Sequence, residues 1–300
     1  MDVFKERTGI AKVYPITKEV YFRVTGKDRK YCKEDGNGNK SLYAVCPACD
    51  NPIQIIGLFK NSAEAGRKPY GRHHKGSIPK LASYHEEDYY DCPYSNPTWR
   101  KPGKYRKPGS PLARMTLNLL KAQFDRVIYI LSKDMEVKIS LDTARRMLRS
   151  YLGDEGWLYR TATPYNLPWP FGEVEKALPL FGRKIAVGGG LHEVLRSRCP
   201  YVALIPDESG KWAKVTSANG AYVNLHYLLF NHVFEQKHGE DSFDESIIFW
   251  VYEGQPPAHK TVFEKKISIS IDYFQYLIDL PPERSRRNAR LLDIAKEMIP

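Results

Sequence analysis

The pattern of apolar and polar positions changes near residue 95 of this 300-residue chain. Before that point, apolar residues stand in short runs, such as residues 20–24 and 42–45, and a Gly-Asn-Gly-Asn stretch at residues 36–39 lies between these two. Short apolar runs that are bounded by turn-forming residues are typical of β-strands and hairpins. We therefore predict a β module over residues 1–95, in which residues 13–24 form a first hairpin.

Residues 96–110 fit neither a strand nor a helix. This stretch contains Pro97, Pro102 and Pro108 together with Gly103 and Gly109. Proline lacks a backbone N–H and glycine favours turns, so a run that mixes them resists regular structure. We predict a linker here.

From residue 111 the apolar positions follow the spacing of a helix. Met115, Leu119 and Ala122 begin an apolar stripe that further leucine, phenylalanine and isoleucine residues widen until little polar surface is left. Such a pattern predicts a buried helix. A second, amphipathic helix is predicted to begin after Ser140 or Asp142 and to end near Gly153.

The rest of the chain mixes the two patterns. Strands are predicted over residues 201–205, 211–215, 247–252 and 267–271, and helices over residues 191–198, 225–236 and 284–299. Because helices and strands alternate without an internal repeat, we predict the α+β class. The prediction is an N-terminal β module followed by a mixed α/β domain over residues 111–300.

Composition narrows the choice of environment and partner. Apolar residues make up 42% of the chain, and no apolar run approaches the length of a membrane span. The N-terminal residues lack the apolar core of a signal peptide, so we expect a cytoplasmic protein with no membrane partner. The net charge of +11 favours an anionic partner, and nucleic acid is the commonest one for a protein of this kind.

The cysteines indicate a metal site in the N-terminal third. Cys46 and Cys49 form a C-x2-C pair, and Cys92 lies downstream of His73. Two thiolates on one tight turn, with a distant histidine and cysteine, can complete a tetrahedral shell around zinc. We predict Cys46, Cys49, His73 and Cys92 as ligands of a structural zinc ion, because four protein ligands leave no position open for catalysis.

Other ligand sets remain open at this point. His74 and His85 compete with His73 for the role of the imidazole ligand, and Cys32 could supply a fourth thiolate. The structural alternative is that the cysteines are free and pack as small apolar residues. An odd number of cysteines with a C-x2-C pair favours metal over disulfides, which also fits a reducing compartment.

The N-terminal third resembles the zinc ribbon that opens competence-protein CoiA-like and related mobile-element proteins. The matching stretches are residues 43–49 (Tyr-Ala-Val-Cys-Pro-Ala-Cys), 70–73 (Tyr-Gly-Arg-His) and 91–94 (Asp-Cys-Pro-Tyr). This chain has a longer insert between Cys49 and the histidine than that family, and it lacks the usual His-Phe-x-His run. Members of the family carry a nuclease-like domain after the ribbon, so the resemblance implies one here.

A nuclease of that kind would hold Mg²⁺ with carboxylates beside a lysine. The candidate catalytic residues are Glu264 and Lys266, in the Glu-x-Lys of an apolar-flanked segment, with Asp207, Asp244 or Glu245 as the upstream carboxylate. The alternative is a solvated, charged strand edge, because Glu-x-Lys occurs by chance in most charged chains.

Basic residues occur in three groups that could neutralise phosphates. The linker group interleaves its charges with Trp99 and Tyr105, whose rings could stack on exposed bases. The alternative is a solubilising surface. The first group is Arg100, Lys101, Lys104, Arg106 and Lys107, the second Arg145, Arg146 and Arg149, and the third Arg284, Arg286, Arg287 and Arg290.

These observations together predict a zinc-containing nucleic-acid-binding protein of bacterial mobile-element or defence type. The first alternative is a Mg²⁺-dependent, CoiA-like nuclease that uses Glu264 and Lys266. The second alternative is a protein-interaction subunit in which the zinc ion only stabilises the fold.

Overall fold

The computed structural model describes residues 1–10, 12–34, 36–59, 68–92, 94–95, 105–106, 108–236, 243–255, 258–281 and 283–300. The chain forms two compact units. The first comprises Met1–Thr116, Leu158–Tyr165 and Phe234–Asp244, and the second comprises Leu117–Trp157, Asn166–Val233 and Glu245–Pro300. Helices occur together with antiparallel sheets, so the predicted α+β class is confirmed.

The first unit is built on one antiparallel sheet of four strands, in the order β3-β4-β5-β6. Its short strands β1 and β2 pair with each other. The element bounds are β1 Val3–Phe4, β2 Tyr14–Pro15, α1 Lys18–Thr25, β3 Cys32–Glu34, β4 Lys40–Val45, β5 Pro52–Ile56, β6 Tyr70–His73 and α2 Glu86–Tyr90, with a 3-10 turn at Arg29–Tyr31.

Residues 20–24, predicted as a strand, lie instead in helix α1. The Thr17 hydroxyl accepts a hydrogen bond from the Val20 N–H at 3.3 Å, which caps the start of the helix. Gly26 ends the helix at φ 58°, a conformation that glycine adopts at little cost. Tyr21 and Thr25, four residues apart, are the buried positions, so the helical spacing was present but was hidden among apolar neighbours.

The second unit contains two antiparallel sheets, in the orders β10-β11-β9-β7 and β14-β13-β12-β8. A common apolar core joins them to the helices. The element bounds are α3 Pro111–Asp134, β7 Val137–Lys138, α4 Leu141–Gly153, α5 Pro168–Glu173, β8 Leu178–Pro179, β9 Lys184–Ala186, α6 Gly190–Arg198, β10 Val202–Pro206, β11 Trp212–Ser217, β12 Leu225–Gln236, β13 Phe243–Gln255, β14 Ala258–Ser268, α7 Ile271–Asp279 and α8 Ala289–Met298, with a 3-10 turn at Gly156–Leu158.

The helix predicted over residues 225–236 is wrong, because this segment is strand β12. Leu225, Tyr227 and Leu229 are buried while the residues between them are partly exposed, which is the two-residue period of a strand. The leucines at 225, 228 and 229 fit a helical stripe equally well, and only pairing with β8 and β13 decides between the two.

The chain around Ile269 also differs from the prediction. The predicted strand ends at Ser268, and Ser270 caps helix α7 by accepting a hydrogen bond from the Tyr273 N–H at 3.3 Å. Of the two predicted starts of helix α4, Ser140 and Asp142, the structure selects Ser140, whose hydroxyl accepts from the Thr143 N–H at 3.2 Å. Capping hydroxyls therefore mark both helix starts.

The boundary between the units does not fall in the predicted linker. The first unit continues to Thr116, inside α3, and it includes residues 158–165. The backbone N–H of Arg106 donates to the Leu158 carbonyl at 2.7 Å, which ties the end of the linker to that segment. Among the described helices, none is long and apolar enough to cross a bilayer.

Candidate metal centre

Four side chains that are distant in sequence come together in the first unit. The ligand atoms of Cys46, Cys49, His73 and Cys92 all lie within 4.8 Å of one another. The Cys46 and Cys92 Sγ atoms are 3.6 Å apart, and the Cys49 Sγ is 3.3 Å from the His73 Nε2. These are the four ligands predicted from the spacing, and the group could hold a metal ion.

The C-x2-C pair lies on the turn between strands β4 and β5. The Cys46 N–H donates to the Asn51 carbonyl at 2.8 Å, and the Asp50 N–H donates to the Cys46 carbonyl at 3.2 Å. Asp50 adopts φ 58°, the left-handed conformation that closes the turn. This local geometry directs both thiols to the same side.

Strand β6 and the short helix α2 position the other two residues of the cluster. His73 is the last residue of β6, where it pairs with Ile53 of β5, directly beyond the turn. Cys92 follows α2, and its N–H donates to the Tyr89 carbonyl at 3.2 Å. The Tyr89 ring packs edge-on against the His73 ring at 5.5 Å.

Asn51 supports this arrangement and was not singled out in the sequence. Its side chain is fully buried, and its amide N–H donates to the Cys49 Sγ at 3.4 Å and to the His85 carbonyl at 3.1 Å. Its carbonyl oxygen accepts from the His85 N–H at 2.7 Å. A buried amide that bonds both a ligand and the neighbouring loop holds the thiol in place.

The alternative ligands do not join the group. Cys32 is half-buried in β3, and the His74 ring packs edge-on against the Tyr43 ring at 5.2 Å. His85 contributes its backbone to Asn51. Among the described residues, no other set of three or more cysteine, histidine or acidic side chains is close enough to share an ion.

Because the three thiols of the cluster are buried, their ionisation depends on a nearby positive charge. Burial raises the pKa of Cys49 and of Cys92 well above the ordinary value, and Cys46 raises both further. Cys49 also raises the pKa of Cys92, whereas hydrogen bonds with Cys92 and Asn51 act to lower that of Cys49. Burial also opposes ionisation of Cys46, but hydrogen bonds from Cys49 and Cys92, with His73 nearby, hold its pKa well below the ordinary value. One thiolate is therefore favoured, and a bound cation would be needed to ionise all three.

Four protein ligands fill a tetrahedral shell and leave no position for water. The cluster therefore suits a structural metal and does not suit a hydrolytic one. The imidazole of His73 is only partly buried, whereas the three cysteines are buried, so the site lies at the edge of the apolar core.

The candidate catalytic pair lies on the edge strand of its sheet. Glu264 and Lys266 are exposed residues of β14, which pairs with β13 on one side. Glu264 is not part of any group of three or more potential metal ligands among the residues that the structure describes. This placement matches the structural alternative, a charged strand edge.

The linker group is only partly described, since Arg100, Lys101, Lys104 and Lys107 lie outside the described residues. Arg106 is 2% exposed, and its guanidinium donates to the Tyr159 carbonyl at 2.5 Å and to the Arg160 carbonyl at 2.6 Å. The prediction that Arg106 belongs to an exposed contact surface is corrected by this burial.

Two arginines of the second group form ion pairs with carboxylates. Arg145 binds Glu297 and Arg146 binds Glu175, each at 3.0 Å, while Arg149 is exposed. In the third group, Arg287 makes two hydrogen bonds to the Asp125 carboxylate at 2.8 and 2.9 Å.

The remaining members of the third group, Arg284, Arg286 and Arg290, are exposed. Among the described residues, none of these three has a carboxylate partner. They are therefore available to bind an external anion.

Comparisons of this chain with protein-family models, with curated proteins and with solved structures found no match.

Proposed function

We propose that this chain is a nucleic-acid-binding protein whose first unit is stabilised by a structural zinc ion. The observation that carries the metal part is the closed cluster of Cys46, Cys49, His73 and Cys92. Thiolates with one imidazole favour zinc among the common divalent ions, and a closed four-ligand set is typical of sites that stabilise a fold.

The proposal of nucleic-acid binding rests on the net positive charge and on exposed arginines that have no carboxylate partner among the described residues. The net charge is +11, and Arg149, Arg284, Arg286 and Arg290 are exposed without a carboxylate partner among the described residues. Guanidinium groups match phosphate oxygens in geometry and charge, and they release counterions when they bind a polynucleotide. The likeness of the first unit to the CoiA-like ribbon, and the mobile-element or defence role that it implies, belong to the same proposal.

We propose binding without hydrolysis, because Glu264 belongs to no group of three or more potential metal ligands among the described residues. Plasmid nicking with and without Mg²⁺ tests this choice. We expect no Mg²⁺-dependent nicking. Nicking by the native protein that is lost in Glu264→Gln would establish the nuclease alternative instead.

Elemental analysis and a salt titration test the proposal itself. The purified protein should contain about one zinc ion per chain after dialysis. Fluorescence anisotropy should show binding to a labelled oligonucleotide whose log affinity falls linearly with log salt concentration. A zinc-loaded protein that binds neither DNA nor RNA at low salt would favour the protein-interaction alternative.

A further inference from the structure

A basic groove lies in the second unit, on the side of α3 that carries Asp125, Arg126 and Tyr129. Its cavity volume is about 550 Å³. Ligand sites commonly occupy cavities of about 300–1,000 Å³. The lining comprises Asp125, Arg126, Ile128, Tyr129, Ser132, Lys138, Ile139, Trp212, Leu277, Leu280, Arg284, Ser285, Arg286, Asn288 and Leu291.

The charge of this basic groove is strongly positive. Its four cations are Arg126, Lys138, Arg284 and Arg286. Its one carboxylate, Asp125, is already neutralised by the two hydrogen bonds from Arg287. The Asn288 N–H also donates to Asp125 at 3.0 Å. In the part of the chain that the structure describes, no carboxylate pairs with any of the four cations.

Arg126 is the cation that the fold holds most firmly. It is 8% exposed, and its guanidinium donates to the Gln123 side chain at 3.0 Å and to the Ser285 hydroxyl at 2.6 Å. Burial lowers the pKa of Arg126, and Arg287 lowers it further, although Asp125 and Asp279 act in the opposite direction. Because the hydrogen-bond partners of this buried guanidinium are neutral, an anion bound in the groove would stabilise its charge.

Two aromatic rings accompany these charges. Tyr129 is 52% exposed, and Trp212 is half-buried with the Lys138 Nζ at 5.8 Å from its ring centroid. Exposed rings next to guanidinium groups are how proteins hold single-stranded nucleic acid, because the rings stack on bases while the cations bind phosphates. A site for an inorganic anion would require only the cations, whereas a nucleotide site also requires rings on which a base can stack.

We propose that this basic groove binds a nucleotide unit, with its phosphate on Arg126, Arg284 and Arg286 and its base against Tyr129 or Trp212. The ligand is a single-stranded nucleic acid or a free nucleotide, which share this chemistry. The inference rests on the proposed nucleic-acid binding and adds the location and the preference for unpaired bases.

Anisotropy with the full chain tests the phosphate contacts. The probe is a labelled oligothymidylate, and the variant is Arg284→Gln/Arg286→Gln, two exposed positions whose change spares the core. The slope of log affinity against log salt should fall by about 1.4, about 0.7 for each lost phosphate contact on a single strand. Lys176→Gln/Arg198→Gln removes the same charge from exposed positions outside the groove and should leave the slope nearly unchanged.

Tyr129→Leu and Trp212→Leu test the stacking. Each ring that stacks on a base should cost about tenfold in affinity when it is removed, with no change in the salt slope. Tyr222→Leu is the matched control, because Tyr222 is 84% exposed and does not line the groove. Thermal melting of every variant checks that the fold is intact.

Competition identifies the source of the nucleotide. Displacement of the oligothymidylate by uridine monophosphate indicates a free nucleotide, whereas displacement by longer single strands alone indicates a nucleic acid. Equal displacement by tripolyphosphate, or stronger displacement by a phosphoserine peptide, would overturn the inference in favour of a general anion site or a phosphopeptide site.

The two proposals fail in different ways. If the native protein binds the oligonucleotide and the groove variants bind it equally well, the groove is not the site, and the proposed function stands. If the native protein binds no nucleic acid, the proposed function fails and this inference fails with it.

Discussion

Removing one thiol from the metal cluster should unfold the first unit. Cys46→Ser replaces a fully buried thiol whose Sγ lies 3.6 Å from that of Cys92. A structural zinc ion contributes about 10–16 kcal/mol of binding free energy, and a domain of ordinary size is stable by about 5–15 kcal/mol. Loss of the metal would therefore remove free energy comparable to the whole stability of the unit.

The assay combines zinc content with limited proteolysis. In Cys46→Ser we expect zinc below stoichiometry and rapid cleavage within residues 1–92, while fragments from the second unit persist because its apolar core is separate. Cys32→Ser is the matched control, because Cys32 is a half-buried cysteine of the same unit that lies outside the cluster. It should retain zinc and resist cleavage.

Two results would refute this reasoning. If Cys46→Ser keeps both its zinc and its protease resistance, the zinc ion is bound without Cys46, and this cluster is not the site through which a metal stabilises the fold. If Cys32→Ser loses zinc to the same extent, Cys32 is a ligand and the observed set of four is not the binding set.

Two further substitutions test individual contacts. Asn51→Ala should lower zinc affinity by about 10–100-fold, because the buried amide positions the Cys49 thiol, and competition with a chelator measures the change. A chelator profile equal to that of the native protein would contradict this role. Arg287→Gln should cost about 2 kcal/mol in urea unfolding, because it leaves the buried Asp125 carboxylate without its charged partner. Arg145→Gln, which breaks an exposed ion pair, should cost less than about 1 kcal/mol, and equal losses would refute the distinction.

Local features of this chain were predictable from the sequence because neighbouring residues determine them. The C-x2-C spacing defines a turn, and the hydroxyl at Ser140 marks a helix start whatever the rest of the molecule does. The cluster of Cys46, Cys49, His73 and Cys92 was predicted because few residue types bind zinc. The spacing left His74, His85 and Cys32 open as alternatives, and only the fold shows that they lie outside the cluster.

Other features depended on contacts that are distant in sequence. Residues 225–236 have a leucine spacing that suits a helix or a strand, and pairing with β8 and β13 selects the strand. The exposed or buried state of Arg106 depended on carbonyls more than fifty residues away, at Tyr159 and Arg160. Neither partner is visible in the local sequence.

The candidate nucleotide site shows the same division. The sequence by itself determined that the chain is basic and that Arg284, Arg286 and Arg287 lie close together along it. Only the tertiary structure decided which of them have a partner, because Asp125, 162 residues earlier in the chain, neutralises Arg287. Arg284 and Arg286 have no carboxylate partner among the residues that the structure describes. The charge of an arginine follows from its residue type alone, whereas its ability to bind an external anion depends on which carboxylates the fold places beside it.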